Sequence, residues 1–301
     1  MKSSLDVNYV RINGINIRYI DQNQNRQPVL FIHGLGGSIE SWNYNIGPMS
    51  SRNLRIVALD LPGFGLSDSP KIKYSINFYS DYIVKFLQTI GIDRNISVIG
   101  SSLGGQIGAE MAIKNNVPVT KLVLISPAGV PPKSFKGTPS LRRYLSILRA
   151  KSFEEVKNIL TWLADGSVKD SYAKIIFERL SRPGAKEPFV SALKESSRAP
   201  RFTKNIGKSS AKIFVLWGRE DKMIPLKFIR PFVKQTNCRI LILTYGYSYH
   251  TTQGAEWKYS SSVENSKLHN NLGLVKHPSI NYMVFLFVFF CANAFFLSVW
   301  I

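Results

Sequence analysis

Gly100-Ser101-Ser102-Leu103-Gly104 sets a hydroxyl between two glycines, directly after the apolar run Ile96–Ile99 and before a helical pattern. A strand that turns sharply into a helix projects the residue at the turn, and glycines serve where a Cβ would strike the returning backbone. The spacing selects Ser102 over Ser101 as a nucleophile. A serine hydroxyl needs a base for its proton and a third group to orient that base. The chain holds four histidines, His33, His250, His269 and His277. His33 lies inside a turn at a strand end and reads as structural, and the last two fall in polar sequence before an apolar tail. His250, just past the eighth apolar run, is left as the base. In Trp217-Gly218-Arg219-Glu220-Asp221-Lys222-Met223-Ile224-Pro225 both Glu220 and Asp221 qualify chemically as the orienting acid, and Asp221 is the choice. The order is then nucleophile Ser102, acid Asp221, base His250. His33-Gly34-Leu35-Gly36-Gly37 forms a second turn at a strand end. The backbone N–H groups of Leu35 and Leu103 are the candidate oxyanion donors, each worth about 3–4 kcal/mol in the transition state.

These residues need a scaffold that brings several strand ends to one edge. Short, almost wholly apolar runs recur at Val7–Ile12, Ile15–Ile20, Val29–Ile32, Arg55–Leu59, Ile96–Gly100, Leu122–Ser126, Ile213–Trp217 and Arg239–Thr244. Runs of this kind suit a largely parallel sheet covered on both faces. Asn13-Gly14 between the first two marks a hairpin. Tyr79, Tyr82, Ile83, Phe86 and Ile90 recur at helical spacing, with Ser75 as N-cap and Gly91 as stop. Further helical patterns cover Gln106–Ile113 and Leu226–Val233. Strand–helix alternation predicts a doubly wound α/β architecture. The stretch 131–207 breaks the rhythm: it is helix-like and strand-poor, an insertion between two strands. The expected organisation is a core of 1–130 and 208–250, the helical insertion 131–207, a polar linker 251–278 and an apolar tail 279–301.

Composition narrows the function classes. The chain has 301 residues, 45% hydrophobic and 19% charged, enough to bury a large core. Two cysteines, Cys238 and Cys291, in unlike contexts exclude a disulfide framework and fit a reducing compartment, and no Cys/His cluster has zinc spacing. No metal or organic cofactor is expected. The formal charge is +20, and the block 131–210 holds 17 basic against 7 acidic side chains. An anionic partner would explain this, as would a solvated helical surface. No zinc-finger, helix-turn-helix or basic-aromatic signature accompanies the charge, so no nucleic-acid partner is expected. Met1-Lys2-Ser3-Ser4 opens on polar residues, not on a signal segment. Ser279–Ile301 is 23 residues without a charged side chain, roughly 34 Å as a helix. It reads first as a membrane anchor; a buried substitute for a final helix and an unselected Phe-rich extension are the other readings. Lys267, Lys276 and the basic domain before it would leave the catalytic domain in the cytoplasm.

Five segments in order, FIHGLGGS (31–38), ALDLPGFGLSD (58–68), VIGSSLGGQIG (98–108), LVLISPAG (122–129) and VLWGREDKMIP (215–225), resemble the α/β-hydrolase superfamily over roughly residues 8–250. The resemblance is to the capped branch of esterases, epoxide hydrolases, dehalogenases and carbon–carbon bond hydrolases. It implies an α/β-hydrolase fold: a mostly parallel eight-stranded sheet flanked by helices, with 131–207 as a helical lid. It also implies a structural Asp60 in the turn after the fourth strand. Ser102 stands where the dehalogenases and epoxide hydrolases carry Asp, which leaves acyl chemistry. The expected activity is a serine hydrolase cleaving an ester or related acyl bond of a small or medium apolar substrate. Carbon–carbon hydrolysis of ring-cleavage products is the first alternative. Lid residues Leu145, Leu148, Phe153, Ile159, Trp162, Phe177 and Phe189 are candidates to line an apolar cleft. Arg179, Arg182 and Arg198 are candidates to meet a substrate carboxylate. The chain departs from the family after His250, where Tyr249 replaces the usual preceding glycine and no final amphipathic helix is evident. That departure motivates a second alternative, a catalytically impaired hydrolase-fold binding protein at a membrane.

Overall fold

The computed structural model describes residues 6–93, 95–164, 168, 170–233, 238–244 and 272–276. Nine strands form one sheet among these residues: β1 Val7–Ile12, β2 Ile15–Gln22, β3 Gln27–Ile32, β4 Leu54–Leu59, β5 Ile96–Ser101, β6 Val119–Ile125, β7 Lys212–Gly218, β8 Cys238–Thr244 and β9 Leu272–Lys276. Their order is β1-β2-β4-β3-β5-β6-β7-β8-β9. β1 and β2 pair antiparallel, as do β2 and β4, and every later neighbour is parallel. The hairpin is made where Asn13 and Gly14 take φ of +50° and +81°, the combination a tight two-residue turn demands.

Alternation along the central strands explains their wholly apolar sequence. In β3, Leu30 and Ile32 enter the larger core cluster on one face, while Val29 and Phe31 enter the cluster on the other. The first face is covered by α2 Ile76–Thr89 and α3 Leu103–Lys114, the second by α1 Asn43–Ser50 with Ile39 and Trp42 just before it. A strand buried on both sides has no polar face to spare. In α2 the helical repeat buries Tyr79, Tyr82, Ile83 and Phe86. Ser75 caps it, its hydroxyl accepting from the Phe78 amide at 3.1 Å, and Gly91 ends it at φ +72°.

Between β6 and β7 the chain forms α4 Pro139–Leu145, α5 Phe153–Ala164, α6 Asp170–Leu180 and α7 Lys186–Arg198, with short 3-10 turns between and after them. Ile147, Val156, Leu160, Ala173 and Ile176 give this block its own small core. Phe189 and Ala192 on α7 join the core of the sheet, so the block is seated on the strands. The pattern over Leu226–Val233 resolves into a 3-10 turn, Leu226–Ile229, followed by the short α8 Arg230–Val233.

Two sequence readings need revision or restriction. β9 falls inside 251–278, read above as a polar linker; its Leu-Gly-Leu-Val run is apolar and pairs in parallel register with β8 as a ninth strand. Among the described residues no helix is long and apolar enough to cross a membrane, and the apolar segment 279–301 lies outside them. Ser75→Ala removes the acceptor for the Phe78 amide, with an expected cost of about 1 kcal/mol. The check is the urea midpoint, which should fall without a change of slope.

Candidate active site

The parallel strands all end at one edge of the sheet, and the candidate residues lie in the turns just past those ends. β5 ends at Ser101, and Ser102 follows as the N-cap of α3 with φ +50° and ψ −112°. That backbone is sparsely populated for a residue with a Cβ and costs on the order of 1–3 kcal/mol, so its surroundings must hold it. Its amide donates to Ile125 O at 2.9 Å, and its carbonyl accepts from the amides of Ala128 at 2.9 Å and Gln106 at 3.1 Å. The flanking glycines are required by space. A Cβ on Gly100 would collide with the Gly104 carbonyl, and one on Gly104 with the Ile32 carbonyl. Leu103 opens α3, so its amide has no partner within the helix and lies at the positive end of the dipole.

The turn after β3 is brought against Ser102: a Cβ added to Gly34 would stand 3.3 Å from Ser102 Cβ. Leu35, the other expected oxyanion donor, follows in this turn, which the Gly37 amide closes onto Gly34 O at 3.0 Å. His33 is wholly buried and both its ring nitrogens are occupied by backbone. The Leu61 amide donates to Nε2 at 3.0 Å, which puts the proton on Nδ1, and Nδ1 donates to Gly34 O at 2.7 Å. The ring therefore fastens the turn after β3 to the turn after β4.

Asp60 anchors both turns from below. It is fully buried and accepts from the Ile39 amide at 2.8 Å, the Leu66 amide at 2.7 Å and Arg18 Nη1 at 3.2 Å. Arg18 Nη2 also donates to Glu40 Oε1 at 2.7 Å. Burial pushes the Asp60 carboxyl above its ordinary range, against those amides and the guanidinium. The structural reading of Asp60 and His33 fits this geometry.

Asp221 lies in the turn after β7. Its Oδ1 accepts from the amides of Met223 and Ile224, each at 2.8 Å, and its own amide donates to Gly218 O at 3.3 Å. Glu220 is exposed, which separates the two acidic candidates. Burial raises the Asp221 carboxyl, opposed by the Ile224 amide, by the Ser126 hydroxyl and by the Met223 amide. Ser126, at φ +39° beyond the end of β6, stands between the Ser102 and Asp221 turns. Ser102, Leu103, Leu35 and Asp221 thus share the strand-end edge, whereas His250 lies outside the described residues. Among the described residues no group of three or more His, Cys, Asp or Glu could hold a metal ion.

The helical block roofs this edge. A small cavity lies among Gly36, Gly63 and Phe64 of the core turns and Tyr144, Ile147, Ile176, Arg179 and Phe189 of the block. Of the expected apolar lining, Phe189 reaches it. Phe153, Ile159 and Phe177 pack instead on the block's own core, and Trp162 is exposed beneath the Arg143 guanidinium, 4.7 Å from the ring centroid. The arginines also separate. Arg182 is exposed and Arg198 leans on Glu195 at the surface, but Arg179 is turned inward, with Nη1 donating to the carbonyls of Gly36 at 3.3 Å and Gly37 at 3.1 Å. Its Nε is buried without a partner. Tyr144, which sequence reading missed, donates its hydroxyl to Leu35 O at 2.9 Å.

Comparison with known proteins agrees with this architecture. A family model described as alpha/beta hydrolase fold matches residues 27–247. The chain is 26% identical over 223 residues to the dihydrolipoyllysine-residue acetyltransferase component of the acetoin cleaving system of Cupriavidus necator, covering 72% of this chain but 58% of that protein. It is 29% identical over 212 residues to the 2-hydroxymuconate semialdehyde hydrolase of Pseudomonas sp. strain CF600, covering 66% of this chain and 72% of that one. Its fold matches a meta-cleavage product hydrolase from Pseudomonas fluorescens IP01 with a TM-score of 0.68 at 24% identity, over 79% of this chain and 90% of the other.

The neutral His33 ring implies a pH dependence. Burial holds its pKa down to about 4, from an ordinary 6.5. As pH falls, the unfolded chain takes up this proton before the folded one does. The ring's contribution is therefore full above about pH 6.5 and is lost as pH falls to about 4, on the order of 3 kcal/mol in all. Urea midpoints measured across that window should drop more steeply in the wild type than in His33→Gln, which keeps an acceptor for the Leu61 amide and does not titrate.

Proposed function

The chain belongs to the α/β-hydrolase fold family of enzymes, and on that premise we propose that it is a serine hydrolase that cleaves a bond beside a carbonyl in a small, carboxylate-bearing substrate. The observation that carries the serine chemistry is the strained Ser102 turn, held at φ +50° between the Ile125, Ala128 and Gln106 backbone contacts. A fold keeps such strain where it serves a reaction.

In the proposed mechanism Ser102 Oγ attacks the carbonyl carbon while His250 takes the hydroxyl proton. The carbonyl oxygen becomes an oxyanion and accepts from the amides of Leu35 and Leu103. The tetrahedral adduct collapses, His250 returns the proton to the leaving group, and an acyl-serine remains. Water, deprotonated by His250, then releases the acid and restores Ser102. Asp221 orients His250 and stabilises its cation through the carboxylate oxygen that the Met223 and Ile224 amides do not use.

Arg179 supports one order of the substrate readings. A guanidinium buried among Phe64, Ile147, Ile176 and Phe189, with Nε unpartnered, suits a carboxylate on an otherwise apolar substrate. This favours the carbon–carbon reading, in which the leaving group is a stabilised carbanion, over a plain carboxylester. The likeness to the 2-hydroxymuconate semialdehyde hydrolase of Pseudomonas sp. strain CF600 supports the same order. The apolar walls keep a simple ester as the second reading.

Fluorophosphonate treatment of the full-length protein with peptide mapping should put the adduct on Ser102, and Ser102→Ala should remove it. An unlabelled folded protein would overturn the serine reading. A 2-hydroxy-6-oxo-dienoate should be consumed with a KM that rises about tenfold or more in Arg179→Gln. The KM for a neutral p-nitrophenyl ester should stay within twofold. Equal KM changes would return the ester reading to first place.

A further inference from the structure

Three successive carbonyls of the Leu35 turn are held by two side chains of the helical block. Leu35 O accepts from Tyr144 on α4, and Gly36 O and Gly37 O accept from Arg179 on α6. The donors are separated from their acceptors by 109 residues for Tyr144 and by 143 and 142 for Arg179. The preceding carbonyl, Gly34 O, is held from the core by His33 Nδ1 and the Gly37 amide. In a trans peptide the N–H points opposite to the carbonyl of the same unit, so the direction of Leu35 N–H follows Gly34 O. The peptide on the other side of Leu35 carries Leu35 O, which is Tyr144's acceptor. Leu35 is thus clamped from both sides, one clamp in the core and one in the block.

The sequence gives this turn little stiffness of its own. Gly36 sits at φ +74° and Gly37 follows it, so the peptides around them can rotate with little steric resistance. Gly36 also has no room for a side chain: an added Cβ would lie 2.7 Å from both Tyr144 Oη and Phe189 Cε2. The block therefore rests directly on the turn. Tyr144 is suited to permanent donation, since burial moves its hydroxyl well up from the ordinary tyrosine range and keeps it protonated. Burial moves Arg179 below the ordinary arginine range, and Asp60 and Glu40 beneath the turn oppose that shift by favouring its charged form.

We propose that Tyr144 and Arg179 are positioning residues that set the Leu35 amide for the oxyanion, so that the helical block completes the catalytic turn as well as roofing the cavity. This rests on the serine-hydrolase reading above and adds to it the source of the turn's order. Neither side chain needs to touch the reacting atoms for this role. Arg179 acts here through Nη1, apart from the Nε proposed for a substrate carboxylate.

The test uses a neutral fluorophosphonate, which carries no carboxylate for Arg179 to bind, and measures the maximal labelling rate and the half-saturating concentration separately. Tyr144→Phe should lower the maximal rate about fivefold or more with half-saturation within twofold, and Arg179→Gln should lower it further. Arg179→Lys, which keeps a donor, should recover part of the loss. Lys157→Ala breaks the 2.8 Å ion pair to Asp170 that ties α5 to α6, far from the turn, and should label at the wild-type rate. Circular dichroism and thermal midpoints identify variants that fold; if Arg179→Gln does not, Tyr144→Phe and Arg179→Lys decide. Wild-type labelling with unchanged maximal rates in those variants would overturn this proposal alone. An equal fall in Lys157→Ala would also overturn it, since any loosening of the block would then suffice. A wild type that does not label would overturn the serine reading itself.

Discussion

Lack of room at the end of β5 governs the arrangement of the site. The helix α3 begins so close to β3 that Gly104 faces the Ile32 carbonyl and Gly100 faces Gly104, with no space for a Cβ at either position. The chain can enter the helix there only by forcing Ser102 into a positive φ. The two turns nearest Ser102 are close for the same reason. The close approach that makes the turn costly also sets the Ser102 Cβ beside Gly34 and the amide of Leu103 at the start of a helix. The strain is maintained by the sheet, in which β5 keeps unbroken register with β3 and β6 over the residues that lead into the turn.

A second layer of order is electrostatic and lies beneath the turns. Asp60, Arg18 and Glu40 form a buried network, and Asp60 also receives the Ile39 and Leu66 amides. Asp60 and Arg18 are each held by more than one hydrogen bond, as buried charge requires, while Glu40 Oε2 is buried without a partner. Here it ties β2, the segment before α1 and the turn after β4 to one carboxylate. His33 extends the same tie to the turn after β3 without a charge. The strand-end edge is therefore a set of loops fastened to one another, and the Ser102 turn is one member of that set.

Legibility in the sequence followed the range of the interactions. Ser102, Leu103, the Ser75 cap and the Asn13-Gly14 hairpin were legible because each depends on neighbours within a few residues. The eight strands were legible because two-sided burial demands uninterrupted apolar runs. Chemistry left Asp221 and Glu220 equal in the sequence; in the structure the Asp221 carboxylate accepts from the amides two and three residues on, whereas Glu220 is exposed. Tyr144 was missed because a tyrosine in an amphipathic helix carries no local sign that a carbonyl 109 residues away needs its hydroxyl. Arg179 was one of three candidate arginines, and only the packing of α6 distinguished it. β9 was missed because one short apolar run in polar surroundings gives no periodicity to read, and His250 lies outside the described residues.

The hydrogen bonds of Asp221 divide its carboxylate into two unlike oxygens. Oδ1 belongs to the scaffold, since the Met223 and Ile224 amides both point at it and neither points at the other oxygen. A side-chain amide at this position would not be free to choose its orientation. Its carbonyl would be drawn to the two amides, and its NH2 would take the place of the other oxygen. An imidazole approaching from that side would then meet a donor where an acceptor had been, and would present its lone pair instead of its proton. The opposite ring nitrogen would carry the hydrogen, and a serine hydroxyl beside it would find no base. On the proposed reading, the scaffold of this turn would set the protonation pattern of the His250 ring.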